Sequence, residues 1–291
     1  MSDAHAQLFD ESPRAVRIRF VEAAPPGANV LRAFRHPAVR WAIGEPADLE
    51  QVLAADLLTS PQHGEFTLVF LPSGADSPVE LQRRAESWVN DPRFAGETPA
   101  AEYPAIDLVV QSDRIVWRPG RALLIGSPRR VGELAAGLAE FSFLEAELRR
   151  LERGLDADWP TAEADVSLTH SVDRSAMTRR DHVAEMTRRT ALRRIQLARL
   201  TPLLEKAHLT LSGPVRRLFS ELAQQSDVVD RLRAADDRLE VFEDLYELAN
   251  DRLGEFGYFQ HERRLEVWIL VVLVVEVLLM VFELWWAWWL A

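Results

Sequence analysis

The closing stretch, residues 267–291 (VWILVVLVVEVLLMVFELWWAWWLA), constrains this chain more than any other. Thirteen of the sixteen residues from 267 to 282 are Val, Leu, Ile or Phe. At about 1.5 Å per residue, a helix over 267–289 is roughly 35 Å long. That is enough to cross a hydrocarbon core of about 30 Å with a modest tilt. Trp268 stands at one end and Trp285, Trp286, Trp288 and Trp289 at the other, as in the aromatic belts of a bilayer interface. Glu276 interrupts the run. A mid-bilayer acid costs about 3 kcal/mol, whereas the thirteen strongly apolar residues contribute roughly −5, so insertion wins. The sequence therefore predicts a C-terminal transmembrane helix over 265–291. His261, Arg263 and Arg264 precede it, and the positive-inside rule places everything before them in the cytoplasm. The expectation is a tail-anchored, single-pass protein of the inner (plasma) membrane.

Composition narrows the remaining 264 residues. The whole chain has a net charge of −11, with one lysine, Lys206, among 34 basic side chains. Such acidity argues against general binding to a nucleic-acid backbone, which needs a basic footprint, and no direct DNA binding is expected. The absence of cysteine excludes disulfides, zinc–thiolate sites and a cysteine nucleophile. The first fourteen residues, MSDAHAQLFDESPR, have neither a basic nor an apolar leader region, so no secretory signal is expected.

The pattern predicts an α+β fold in four parts. Residues 1–13 are polar and read as disordered. A small α+β domain covers 14–126, a helical and coiled-coil region 127–264, and the anchor 265–291. Residues 15–22 (AVRIRFVE) alternate as a strand does. Residues 39–43 form a second strand, and Gly44-Glu45-Pro46 opens a short helix over 47–58. Residues 65–71 (EFTLVFL) are a strand, and 78–90 a helix with Val79, Leu81, Ala85 and Trp88 inward. Residues 106–110 and 114–118 form a hairpin, and 122–125 a last strand. Ser127-Pro128 starts a helix that runs to about residue 154. Val131, Leu134, Leu138, Phe141, Leu144 and Leu148 share one of its faces. Residues 156–173, with Pro160, read as a loop. A helix over 175–200 restarts at Thr201-Pro202, and a short one covers 214–225. The best periodic signal follows. Val228, Leu232, Ala235, Leu239, Phe242, Tyr246, Ala249, Leu253 and Phe256 alternate spacings of four and three, a heptad seam read as the oligomerisation surface.

Little in the chain carries chemistry, and neither an enzyme activity nor a cofactor is expected. No phosphate loop or nucleophile elbow is present. The turn at 124–128 (LIGSP) leads into a helix N-terminus, where an anion can bind, but a plain strand-to-helix connection explains it better. His182 and Glu185 stand three apart, as metal ligands on a helix do. Bundle metal sites need several such ligands, so surface residues are the better reading. Residues 179–199 carry seven arginines against Asp181 and Glu185, whereas 236–255 carry eight acids against two arginines. Pairing of these two helices explains both biases. Arg188, Arg189, Arg193 and Arg194 remain candidate contacts to a protein or ribonucleoprotein partner.

The run from His261 through Glu262, Arg263, Arg264, Leu265, Glu266, Val267, Trp268, Ile269 and Leu270 to Glu276 resembles the closing signature of the "required for meiotic nuclear division" family, a domain of unknown function. In that pattern His261, Leu265 and Glu266 precede an apolar span that holds a Glu. Residues 130–147 (RVGELAAGLAEFSFLEAE) are similar to the family's alanine–leucine helix. Arg40-Trp41-Ala42-Ile43-Gly44 with 49–53 is similar to an early strand–helix element. The resemblance covers roughly 15–285 and implies a non-catalytic, oligomeric membrane tether that supports translation. An alternative rests on layout: an α/β domain, long helices and a terminal anchor are similar to CorA-type magnesium channels. Those have a second span and a Gly-Met-Asn motif that this chain lacks, so a pore here needs a ring of Glu276 side chains.

Overall fold

The computed structural model describes residues 9, 12–34, 39–54, 65–73, 78–91, 104–170, 176–205 and 211–290, with the side chains of 260 and 282–290 outside the description. Among the described residues, seven strands and six helices follow one another: β1 (Arg14–Val21), β2 (Asn29–Ala33), β3 (Trp41–Ala47), α1 (Leu49–Ala54), β4 (Phe66–Pro72), α2 (Val79–Asn90), β5 (Ile106–Val110), β6 (Asp113–Arg118), β7 (Arg121–Gly126), α3 (Pro128–Asp165), α4 (Arg180–Glu205), α5 (Gly213–Gln225) and α6 (Val228–Leu290). Two 3-10 turns, Val166–Thr169 and Ala176–Arg179, lie between α3 and α4.

The strands form one sheet in the order β2-β3-β1-β4-β7-β6-β5. Its centre, β4 against β7, is parallel, and every other pairing is antiparallel. Both central strands are apolar along almost their whole length and buried on both faces. A parallel pair with crossover helices requires this. Ala15, Val69, Leu71, Val116 and Leu123 pack with Val52 of α1 and with Ala85, Trp88 and Val89 of α2. The aromatic core on α3 and α5 includes Trp117 edge-on to Phe141 at 5.1 Å and Phe141 edge-on to Phe219 at 5.3 Å. The Trp117 indole donates to Ser142 Oγ at 2.9 Å, which satisfies its buried N–H.

The chain divides into two compact units, Met1–Gly154 with Ile195–Asp236, and Leu155–Arg194 with Asp237–Ala291. The sheet thus shares its unit with helices, because a two-faced sheet needs both faces covered. In the second unit Trp159 stands edge-on to Phe242 at 5.6 Å, and Phe242 stacks on Tyr246.

Several sequence expectations change. Gly44, Glu45 and Pro46 belong to β3, where they pair with Ile18, Arg17 and Val16 of β1 rather than opening a helix. β2 has too short and polar a pattern to be read as a strand. Phe9 is 4% exposed and packs on Phe70, whereas most of the 1–13 stretch expected to be disordered lies outside the described residues. Val79 of α2 is exposed, not inward. Most of the 156–173 stretch is helical, since α3 continues through Pro160 to Asp165. Burial of Leu155 and Ala162 offsets the cost of a proline inside a helix, about 3 kcal/mol. α4 likewise passes through Pro202, and α6 through Gly254 and Gly257.

Among the described residues no helix is long and apolar enough to cross a membrane. This finding corrects the expectations of a C-terminal transmembrane helix, of a tail anchor and of a single-pass inner-membrane location. The run of described apolar side chains from Val267 to Val281 is closely bounded and interrupted by charge. Arg264 and Glu266 stand just before that run, and Glu276 falls inside it. The side chains of Trp285, Trp286, Trp288 and Trp289 lie outside the described ones.

The junction of sheet and helices rests on Asp113, which is 1% exposed. Its carboxylate accepts the Ser127 backbone N–H at 3.0 Å and pairs with Arg130 at 3.0 Å. The anion position at the start of α3 is therefore filled by the protein's own carboxylate. A Cβ on Gly126 would stand 2.3 Å from Asp113 Oδ1, inside any tolerated contact. Gly126→Ala should therefore displace this carboxylate and destabilise the protein by about 2 kcal/mol. Urea unfolding measures this, and an unchanged midpoint would contradict the role given to Asp113.

Candidate functional site

α3 is the helix on which acids are buried. Glu140, Glu145, Glu147, Asp158 and Asp165 are all buried. In the first unit, Glu140 meets Arg32 of β2 at 2.8 Å. Glu145 meets Arg149 at 2.8 Å and Arg231 of α6 at 3.2 Å, and Arg231 also holds Glu152 at 2.7 Å. Glu147 meets Arg150. In the second unit Asp158 meets Arg193 of α4 at 2.6 Å.

The densest cluster surrounds Asp165, whose side chain is fully buried. It receives Arg179, the His182 Nε2 at 2.8 Å and the Tyr246 hydroxyl at 3.1 Å. Burial pushes the Tyr246 phenol up from its ordinary value, and the neighbouring Asp165 charge pushes it further. The phenol therefore stays a donor. Three donors converge on one carboxylate and satisfy it, so this cluster joins the end of α3 to α4 and α6.

His182 is engaged by Asp165, and Glu185 by Arg188 at 2.8 Å and Arg189 at 3.1 Å, so the two do not converge on a common point. Among the described residues no group of three or more His, Asp or Glu is placed to hold a metal ion. The two arginines hold the Glu185 carboxyl down at about 2, first by hydrogen bonds from Arg188 and then by those from Arg189. All four candidate contact arginines carry acidic partners within the second unit. Besides those of Arg188 and Arg189, Arg193 has Asp158 and Arg194 has Glu243 at 3.6 Å. In the second unit these arginines of α4 thus meet Glu185 of their own helix, Asp158 of α3 and Glu243 of α6.

Of the seam residues, Val228, Leu232, Leu239, Phe242, Tyr246 and Leu253 are at most 4% exposed, and Phe256 is half-buried. The heptad seam is covered by its own chain rather than left open to another copy. His261, Leu265 and Glu266, the signature residues, lie exposed on the continuation of α6, and Trp268 and Glu276 follow them exposed.

Buried Arg121 lies over the Trp88 ring and donates to the Trp88 carbonyl near the C-terminus of α2. Desolvation lowers its pKa to about 10. Arg118 donates to the Asn90 carbonyl at 3.1 Å in the same region. These cations meet the free carbonyls of a helix end. An open cleft of 330 Å³ lies between the end of α4, α5 and the start of α6, with Leu204 and Phe219 on its wall and Glu205, Asp227 and Asp230 around it.

Among the described residues, the largest bare apolar surface is the α6 stretch from Val267 to Val281. Its fourteen apolar side chains are 43–67% exposed on every side of the helix. Exposed apolar patches on a monomer rarely exceed a few hundred Å². Fourteen half-exposed aliphatic and aromatic side chains amount to on the order of 1,000 Å².

No family profile matches this chain, and no curated protein matches it. Among solved structures, the chain is similar to the soluble domain of CorA from Methanocaldococcus jannaschii, at 15% identity and a TM-score of 0.27, over 63% of this chain and 87% of that one. It is also similar to full-length CmaX, at 15% identity and a TM-score of 0.27, over 88% of this chain and 79% of that one. Likeness at this level carries no inference about activity.

Two outcomes follow for the buried and exposed ion pairs. Asp165→Asn should cost about 3 kcal/mol in urea unfolding, because it strips a buried charge from Arg179 and His182. Arg188→Ala should leave the unfolding midpoint unchanged, since its partner is exposed. Equal effects of the two substitutions would refute this division. In a carboxyl NMR titration Glu185 should titrate near 2. Because its folded pKa is depressed, its pairing is complete above the ordinary carboxylate range and is lost as pH falls towards about 2. A midpoint at the ordinary value would mean that the Arg188 and Arg189 contacts do not form.

Proposed function

We propose that the protein is a non-catalytic oligomeric scaffold, assembled through the terminal part of α6. The observation that carries this reading is the bare apolar stretch of Val267 to Val281. In water such a surface is covered by association, and a standard interface needs only about 800 Å² per partner. The buried seam from Val228 to Leu253 supports the same reading from the other side. That half of α6 already has its cover, so it anchors the helix and leaves the terminal half as the assembling part. The resemblance of residues 261–276 to the signature of an oligomeric tether agrees with it. An ion path through Glu276 needs a membrane span, so the channel alternative is not carried forward.

The full-length chain should sediment as a defined multiple of its 33.0 kDa mass at micromolar concentration. A chain ending at residue 264 should sediment as a monomer. A monomeric full-length chain in analytical ultracentrifugation would defeat the proposal.

A further inference from the structure

The terminal stretch of α6 is apolar on all sides, but its acids are not evenly placed. At about 100° per residue, Glu262, Glu266 and Glu276 fall within a sector of about 80°. Ile269, Leu273 and Met280 share that sector. On the opposite side lie Val267, Val271, Val274 and Leu278, spaced by four, three and four residues. All are exposed, at 55%, 43%, 50% and 62%. This spacing lets identical helices interlock knobs into holes, and the β-branched valines lose little rotamer freedom on packing.

Charge decides which side faces a second copy. Packing through the acidic sector would bring like carboxylates from neighbouring copies together and take them out of water, which is costly. Packing through the opposite side leaves all three carboxylates hydrated. The four side chains of this side carry only a share of the stretch's roughly 1,000 Å², so one pairwise contact falls short of the roughly 800 Å² per partner of a stable complex and the assembly needs more than two copies. A helix apolar on so many sides is better covered by several neighbours than by one.

We infer that copies of this chain associate along Val267, Val271, Val274 and Leu278, with Glu262, Glu266 and Glu276 turned to water. The inference rests on the scaffold reading above and assigns its contact side. Two double variants of the full-length chain test it. Val271→Asp/Val274→Asp should yield monomers of 33.0 kDa with at least a hundredfold weaker association. Ile269→Asp/Leu273→Asp, in the acidic sector, should keep the assembled mass. Single cysteines provide a second readout, because the chain has none of its own. Val271→Cys should react with a maleimide at least tenfold more slowly than Leu273→Cys.

If the acidic-sector variant dissociates while the valine variant stays assembled, the assigned side is wrong and the scaffold survives. The same holds if both cysteines react equally fast in an assembled protein. If the unsubstituted chain is a monomer, the scaffold reading fails first and this inference falls with it.

Discussion

A carboxylate without water has to find a cation, and α3 carries five buried ones. Glu145 and Asp165 are wholly enclosed. Leaving either unpaired costs about 3–5 kcal/mol, a large part of the stability of an ordinary domain. Each buried acid is met by a basic group from another element or from the next turn of α3. Arg32 reaches Glu140 from the sheet, and Arg231 reaches Glu145 from α6. In the second unit Arg193, Arg179 and His182 answer Asp158 and Asp165. Apolar seams tolerate slippage by a heptad, whereas these contacts do not. The acids thereby select one register for the helices in each unit.

That register determines what α6 does. Its first half buries Val228, Leu239, Phe242 and Tyr246 against the same chain, and Tyr246 ends on Asp165. Beyond Leu253 the helix has little covering in the described structure, and from Leu265 its apolar side chains stand in solvent. One continuous helix thus has an end held by its own fold and an end left for association. The proposed scaffold role depends on this contrast.

Much of the framework was legible in the sequence. The alternation in 15–22 and 65–71 led to β1 and β4, and Ser127-Pro128 marked the start of α3. The seam in 228–253 emerged residue for residue, but its partner did not, because periodicity shows that a face is covered and not what covers it. Proline misled at positions 160 and 202, where tertiary burial outweighed the local penalty. Hydropathy misled at the C-terminus, where Arg264, Glu266 and Glu276 stand beside and within a run rich in Val and Leu. The buried acids were overlooked because helical carboxylates usually face water. A signal was present nonetheless. Leu134, Leu138, Phe141, Glu145, Leu148, Glu152 and Leu155 alternate spacings of four and three, so two acids occupy an apolar seam. Nothing local identified Arg231 as their partner, because it lies 86 residues from Glu145.

The most direct test of this account is a double-mutant cycle across Glu145 and Arg231, read by urea unfolding of Glu145→Leu, Arg231→Leu and the pair together. The account predicts that each single substitution costs about 3 kcal/mol. It also predicts that the double variant costs at least about 1 kcal/mol less than the sum, because the contact between the two side chains can be lost only once. Strictly additive costs would show that the two side chains act independently, and would contradict a fold whose helix register is set by its buried carboxylates.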